Sequence, residues 1–270
     1  KATRSPKSDK KNSWQKELEI AKSIAYEAGI IMRQYFDGDQ EGEWKADGTP
    51  VTIADKTINR LVIERLAEAF PEDGVVGEEE STAEYGMGRR WLCDPIDGTK
   101  AYTWGIATAM FSLALVIDGI PMVGVAYNPF LDHLYFATQG GGAYRNDEHI
   151  HVSSLSLKEG IIAVTSNLAK VVEGNVLINN LVEQGARTAS FSGAVCKSVL
   201  VASGRFVGYA EDMVGPYDMA AAHVILEEAG GKLTDMQGEK LTYDKSFQGA
   251  IVSNGVVHDE LVHLASDASK

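Results

Sequence analysis

The hydrophobic period of this chain changes near residue 70 and again near residue 155, and those two changes constrain the fold more than any other feature. Trp14, Leu18, Ala21, Ala25, Ala28, Met32 and Tyr35 recur at helical spacing. Asn12 or Ser13 suits the start of that helix and Asp37-Gly38 its end. A polar loop is expected over 39–50, after which Thr52 and Asp55 stand at the spacing of a helix N-terminus. Ala54, Ile58, Leu61, Leu66 and Ala69 give this second helix one apolar face, and Phe70-Pro71 closes it. Short apolar runs follow at 74–77, 90–93, 111–117, 120–127 and 134–137. Asp118-Gly119 between two of them is a tight hairpin turn, glycines 140–142 interrupt the run again, and a further strand is expected into His151-Val152. The first half therefore reads as two helices on an antiparallel sheet. Beyond residue 155 strands (161–165, 206–209, 232–234, 250–252) alternate with helices (171–183, 195–204, 218–229, 257–266), which predicts a mixed α/β half. The expected organisation is a basic tail over 1–12, an N-terminal half over 13–155 and a C-terminal half over 156–270, the two packed tightly.

Charge narrows the partners. Acidic residues number 38 and basic residues 25, a formal net charge of −13. Such a surface repels phosphate backbones and anionic lipid, so nucleic acid and membrane surfaces are disfavoured as partners. No apolar run is long enough to span a bilayer. The first eleven residues carry five basic and one acidic side chain with no apolar block behind them. They read as a solvated tail or the remnant of a longer N-terminus, not as a secretory signal. Two cysteines, Cys93 and Cys196, read as buried thiols of a reducing, cytoplasmic compartment.

The chemistry concentrates in WLCDPIDGTKAYTWG, residues 91–105. An apolar strand is expected to end at Asp94, with Pro95 preventing a simple helical continuation. Asp97 follows three residues later, and the Ile96 carbonyl between them adds a third oxygen suited to a hard cation. Gly98, Thr99 and Lys100 then open a short helix whose N–H groups welcome an anion. Taken alone, the same residues also describe an acidic turn. Glu78 in Gly77-Glu78-Glu79-Glu80, Asp218 at the start of a helix and Asp55 at the start of another are further candidates. Each by itself also reads as a solvated acid or a helix-start acid.

Together these residues resemble the inositol monophosphatase family in order and spacing. The resemblance rests on Gly77-Glu78-Glu79, Asp94-Pro95-Ile96-Asp97-Gly98-Thr99, and Asp218 with Ala221 and Glu228-Ala229-Gly230-Gly231. It runs from the first helix to about residue 255, with Tyr217 standing where the family usually has Trp. It implies an α/β fold of the αβαβα layered sandwich type, often dimeric, and a lithium-sensitive phosphomonoesterase using two to three Mg²⁺. By the same resemblance Glu78, Asp94 and the Ile96 carbonyl hold a first Mg²⁺. Asp94, Asp97 and Asp218 hold a second, and a looser third lies near Glu78. Asp55 and Thr99 match the pair that orients and activates the attacking water, and Asp97, Gly98 and Thr99 meet the phosphate. Physical chemistry agrees: two carboxylates ~4 Å apart repel by roughly 4 kcal/mol at an effective dielectric near 20, so converging acids need cations. The expected reaction is in-line attack by metal-activated water, without a covalent phosphoenzyme.

Specificity is divided. Glu211 aligns with the acid that contacts ring hydroxyls of inositol in the family. Lys197, in the segment Ser192-Gly193-Ala194-Val195-Cys196-Lys197, resembles a lysine of 3′(2′),5′-bisphosphate nucleotidases, as does Asp-Gly-Thr-Lys at 97–100. Pro216-Tyr217-Asp218 resembles histidinol-phosphate phosphatases. Gly193, Ala194, Lys197 and Glu211 are the candidate specificity residues. Six histidines show no ligand spacing supported by carboxylates, so zinc is not expected. The leading expectation is a phosphatase of inositol monophosphate or a related small polyol phosphate. The alternatives are the other two activities and a catalytically silent metal–phosphate binding module.

Overall fold

The computed structural model describes residues 13–36, 42–44, 50–165 and 171–268. The basic tail over 1–12 and the expected helix stop at Asp37-Gly38 lie outside the described residues. Helix α1 (Gln15–Phe36) buries Leu18, Ala21, Ile24, Ala25, Ala28 and Met32 along one stripe, as its period requires. Helix α2 (Ile53–Ala69) starts from Thr52. The Asp55 amide donates to Thr52 Oγ1 at 3.3 Å and the Thr52 amide to Asp55 Oδ2 at 2.7 Å, a reciprocal capping box. Part of the expected polar loop before it is instead an antiparallel pair, β1 (Gly42–Trp44) with β2 (Pro50–Thr52). Three-residue strands are too short to register as a period.

The chain next lays down β3 (Gly74–Gly77), β4 (Arg89–Asp97), helix α3 (Thr99–Thr103), β5 (Met110–Ile117), β6 (Ile120–Asn128), β7 (His133–Thr138), β8 (Gly142–Arg145) and β9 (Glu148–His149). The seven strands form one sheet in sequence order. It is antiparallel except at one edge, where β3 runs parallel to β4. The Asp118-Gly119 hairpin is present, both residues at positive φ (50° and 77°). The strand expected into His151-Val152 lies earlier, as the β8–β9 hairpin around Asn146 (φ 53°).

The second sheet comes from β10 (Ile161–Val164), helix α4 (Val171–Glu183), β11 (Arg187–Ala189), helix α5 (Ala194–Ala202), β12 (Gly208–Glu211), helix α6 (Pro216–Glu228), β13 (Lys232–Thr234), β14 (Ala250–Ser253) and helix α7 (His258–Ala268). Its strand order is β11-β10-β12-β14-β13, with β10 parallel to β11 and β12 and the other pairs antiparallel. Strand β11 is absent from the sequence expectation because Arg187 and Thr188 face solvent and carry no apolar signal.

Side-chain alternation sorts these elements into layers. Trp91, Cys93, Phe111, Leu113 and Leu115 pack against α1 and α2. Leu92, Met110, Ala114 and Val116 face the other way, onto α5, α6 and the inner face of the second sheet at Tyr209 and Val252. The outer face of that sheet, through Ile162, Val164 and Ile251, meets Leu177, Leu181 and Leu261 of α4 and α7. The result is a five-layer αβαβα sandwich, each fully buried Leu, Ile or Phe contributing about 1.5–3 kcal/mol. Helix α6 is buried at every position from Met219 to Leu226. Three alanines (220–222) keep it slim enough to lie between two sheets.

Candidate active site

Asp94 and Asp97 are three residues apart in one strand, a spacing that ordinarily puts side chains on opposite faces. The structure resolves this with a register shift. Asp94 pairs with Ser112 and Asp97 with Met110, so three steps along β4 match two along β5. The extra residue is a β-bulge, and it returns Asp97 to the face of Asp94, toward α6. Strand β4 therefore does not end at Asp94, as its sequence suggests. It continues through Pro95, whose missing N–H is tolerated in a bulge. The Ile96 amide donates to Asp94 Oδ1 at 3.0 Å, and the Ile96 carbonyl accepts from Thr99 Oγ1 at 3.0 Å.

Asp97 is clamped from the other half of the chain. Its Oδ1 accepts from the Ala194 amide and its Oδ2 from the Val195 amide, each at 2.9 Å. A carboxylate at the N-terminus of α5 is favoured by the helix dipole. The clamp needs two glycines in close approach: a Cβ on Gly98 (φ 82°) would lie 3.1 Å from the Gly193 Cα, and Gly193 itself sits at φ 111°. Positive φ and backbone contact both demand glycine here. Gly193 and Ala194, read from sequence as specificity residues, thus also hold a site carboxylate.

Asp218 enters from α6, where its Oδ2 accepts from the Gly215 amide at 2.6 Å. Carboxylate oxygens of Asp94, Asp97 and Asp218 lie within 4.8 Å of one another. Among the described residues, neither Asp94 nor Asp218 has an ion-pair partner. Burial, reinforced by the negative charges of Glu78, Asp97, Asp218 and Asp55, pushes the Asp94 carboxyl well above its ordinary range. Burial, then Asp97, does the same to Asp218. Asp97 is pushed up to about 6 by burial, and Lys197 and the two α5 amides restrain it. Glu78 is outside the three-oxygen cluster but lines the same cleft. Its amide bonds the Cys93 carbonyl at 3.1 Å, so the glutamate run is anchored at β4.

Asp55 is fully buried at the foot of α2. Thr52 occupies its Oδ2, while its Oδ1 has no hydrogen-bond partner. Burial raises it to about 7. No hydrogen bond joins Asp55 to Thr99, whose hydroxyl is turned to the Ile96 carbonyl. An orphaned buried oxygen and unpaired desolvated acids are costly, and this donor set of hard oxygens fits a hard divalent cation such as Mg²⁺.

Glu78, Asp94, Asp97, Thr99 and Asp218 border a cleft of about 500 Å³, and Asp55 lies behind its lining. Another part of the lining is a wall in which Lys197 Nζ donates to Glu211 Oε2 at 2.8 Å and to Thr165 Oγ1, while the Tyr209 hydroxyl donates to the same Oε2. Lys197 is not the solvated helix lysine its sequence context favours: it is 1% exposed. Thr165 and Tyr209 escaped the sequence reading. The strand period places Tyr209 on the face of Glu211, two residues away, and that signal was available. Burial holds the Cys93 thiol high and pushes Cys196 up to about 12, so both are inert toward nucleophilic chemistry.

The family model described as the inositol monophosphatase family matches residues 13–270. A histidinol-phosphatase of Chlorobaculum parvum is 31% identical, the match covering 91% of this chain and 95% of that one. Inositol monophosphatase 2 of Solanum lycopersicum is 30% identical over 93% and 98%. The solved Thermotoga maritima IMPase superposes with a TM-score of 0.86 at 27% identity, covering 94% and 98%. Layered fold, acid cluster and these likenesses together define a phosphoric monoester hydrolase. The chain belongs to the inositol monophosphatase family.

Proposed function

We propose that the cleft hydrolyses inositol monophosphate or a related small polyol monophosphate to alcohol and inorganic phosphate. The observation that carries this is the convergence of Asp94, Asp97 and Asp218, the first and last without an ion-pair partner among the described residues, beside a wall whose own charges are paired. Asp94, Asp97 and Asp218 would hold one Mg²⁺, and Glu78, Asp94 and the Ile96 carbonyl another, with a third near Glu78. When bound, the metal neutralises the acids, polarises the phosphate oxygens and acidifies water. Asp55, whose Oδ1 has no hydrogen-bond partner and whose affinity for protons lies near neutrality, would take the proton of the attacking water. The Thr99 hydroxyl, which donates to the Ile96 carbonyl, keeps its lone pairs for that water. The bent backbone at Gly98 and Thr99 is the proposed seat of the phosphate oxygens.

The deciding experiment is phosphate release from a generic monoester with and without EDTA. Release that survives chelation overturns the mechanism, and no release under any metal favours a silent binding module. A second reading, histidinol phosphate, is favoured by the Chlorobaculum parvum relative and by Pro216-Tyr217-Asp218. Comparing kcat/KM for inositol 1-phosphate, histidinol phosphate, fructose 1,6-bisphosphate and 3′-phosphoadenosine 5′-phosphate separates the readings. The same proposal includes lithium inhibition, a cytoplasmic location suited to two free thiols, and a homodimer. Trp104 (72% exposed) and Ile106 offer apolar surface that such a contact would cover. No helix among the described residues is long and apolar enough to cross a membrane.

A further inference from the structure

Lys197 and Glu211 pull in opposite directions when read as separate residues, one toward a second phosphate and one toward hydroxyls. The structure makes them one unit. An ammonium has three N–H donors. That of Lys197 spends two on Glu211 Oε2 and Thr165 Oγ1, and it lies 4.6 Å from the centroid of the Tyr209 ring, a cation–π contact. Two of its three donors are thus committed inside the protein, and the side chain, though it borders the cleft, is only 1% exposed. Glu211 is left asymmetric. Its Oε2 takes hydrogen bonds from both Lys197 and Tyr209, whereas its Oε1 accepts none among the described residues. Glu211 also borders the cleft beside Asp97 and Gly193.

We propose that Lys197 is a positioning residue. It tethers Glu211 so that one carboxylate oxygen stands as a fixed acceptor for a substrate hydroxyl, and it does not itself receive a second phosphate. This rests on the polyol-phosphate reading and deepens it. The pair is internally neutral, so it offers little to a cationic amine or to a second anionic group. A neutral hydroxyl gains a preorganised acceptor without desolvating another charge.

The test is the ratio of kcat/KM for inositol 1-phosphate to that for p-nitrophenyl phosphate, which has the phosphate but no polyol. Lys197 also restrains Asp97, but any loss by that route falls on both substrates and cancels in the ratio. The ratio is expected to fall roughly tenfold or more in Lys197→Met and in Glu211→Gln, the size of one lost charge-assisted hydrogen bond. The fall should appear mainly as a raised KM for inositol 1-phosphate. The double variant should fall no further than the worse single one. A ratio unmoved by Lys197→Met, or a selective loss of 3′-phosphoadenosine 5′-phosphate turnover in that variant, overturns the tether. Should Lys197→Met fail to fold, Glu211→Gln removes the charge that Lys197 holds, and an unmoved ratio there is the overturning result. Failure of the underlying reading looks different: wild-type protein would then turn over inositol 1-phosphate no better than p-nitrophenyl phosphate.

Discussion

On one side of the cleft Asp94, Asp97 and Asp218 converge with no cation among the described residues to balance the first and last. On the other, Lys197 and Glu211 balance each other within 2.8 Å, and Tyr209 and Thr165 complete the bonding. Both sides are buried acids on packed elements, so burial alone does not distinguish them. One stores an electrostatic cost that a bound cation would relieve, and the other is already ion-paired and hydrogen-bonded within the protein. A side with uncompensated acids is where a cation would stabilise charge, and the paired side acts on it only through the opposing influences of Lys197 and Glu211 on Asp97.

The largest expected effect breaks the unfinished side. Asp94→Asn should lower kcat on the order of 10³-fold, the scale of losing one preorganised transition-state stabiliser. In EDTA the same variant should melt no lower than wild type, because it removes a charge that burial and four neighbouring acids disfavour. Asp97→Asn should lose as much turnover and also some stability, since an amide cannot accept from both α5 amides. Paired kinetics and melting curves check both. Wild-type turnover in either variant would contradict the metal assignment.

The second prediction uses pH. Asp55 and Asp97 titrate in the folded, metal-free protein near 7 and 6, far above an unfolded aspartate near 4. Between those values the folded state holds protons that the unfolded state has released. The contribution of these two acids to metal-free stability therefore falls as pH rises from about 4 to about 7, while His258, pushed down to about 4 by burial, contributes a rise between about 4 and 6.5. Asp55 alone contributes on the order of 4 kcal/mol to that fall. Melting temperatures in EDTA at pH 5 and pH 8 measure it, and Mg²⁺ should flatten the slope. An Asp55→Asn variant with the same metal-free pH slope as wild type would show that Asp55 is not strained.

Much of this was legible from residue order, and the failures share a cause. The acids could be named because their order and spacing together resemble a known family, although each alone reads as an ordinary turn or helix-start acid. The helices were found because their period runs over three turns or more. What could not be read was geometry that depends on a partner strand. The bulge after Asp94 exists only relative to β5, and without it Asp97 would face α2. The parallel edge of β3, the three-residue β1, β2 and β11, and the burial of Lys197 are likewise properties of neighbours. Lysine is so often solvated that only the aromatic and acidic surroundings reveal this one as buried.

The third prediction tests how the two sides are joined. Gly98→Ala puts a Cβ 3.1 Å from the Gly193 Cα at φ 82°. Strain of that kind costs roughly 1–3 kcal/mol. It should also cut turnover by pushing β4 away from α5, lengthening the two amide bonds to Asp97. Loss of turnover with an unchanged melting temperature would mean that the glycine serves the phosphate alone and not the junction.

The smallest effect separates motif from chemistry. Glu228 belongs to the Glu-Ala-Gly-Gly run that helped identify the chain, yet it does not line the acid cluster's cleft. Its two carboxylate oxygens accept from the amides of Gly140 and Gly142 at 2.6 and 2.7 Å, pinning the turn before β8 to the end of α6. Glu228→Gln keeps one of those acceptors and removes the charge, which should cost about 1 kcal/mol of stability. Turnover and Mg²⁺ dependence at 25 °C should stay within twofold of wild type, the difference per 1.4 kcal/mol being tenfold. Denaturant melts and steady-state kinetics on the same preparation decide the matter. A variant that keeps its stability but loses Mg²⁺ response would place Glu228 in the site and redraw the boundary between the residues that do the chemistry and those that hold the layers together.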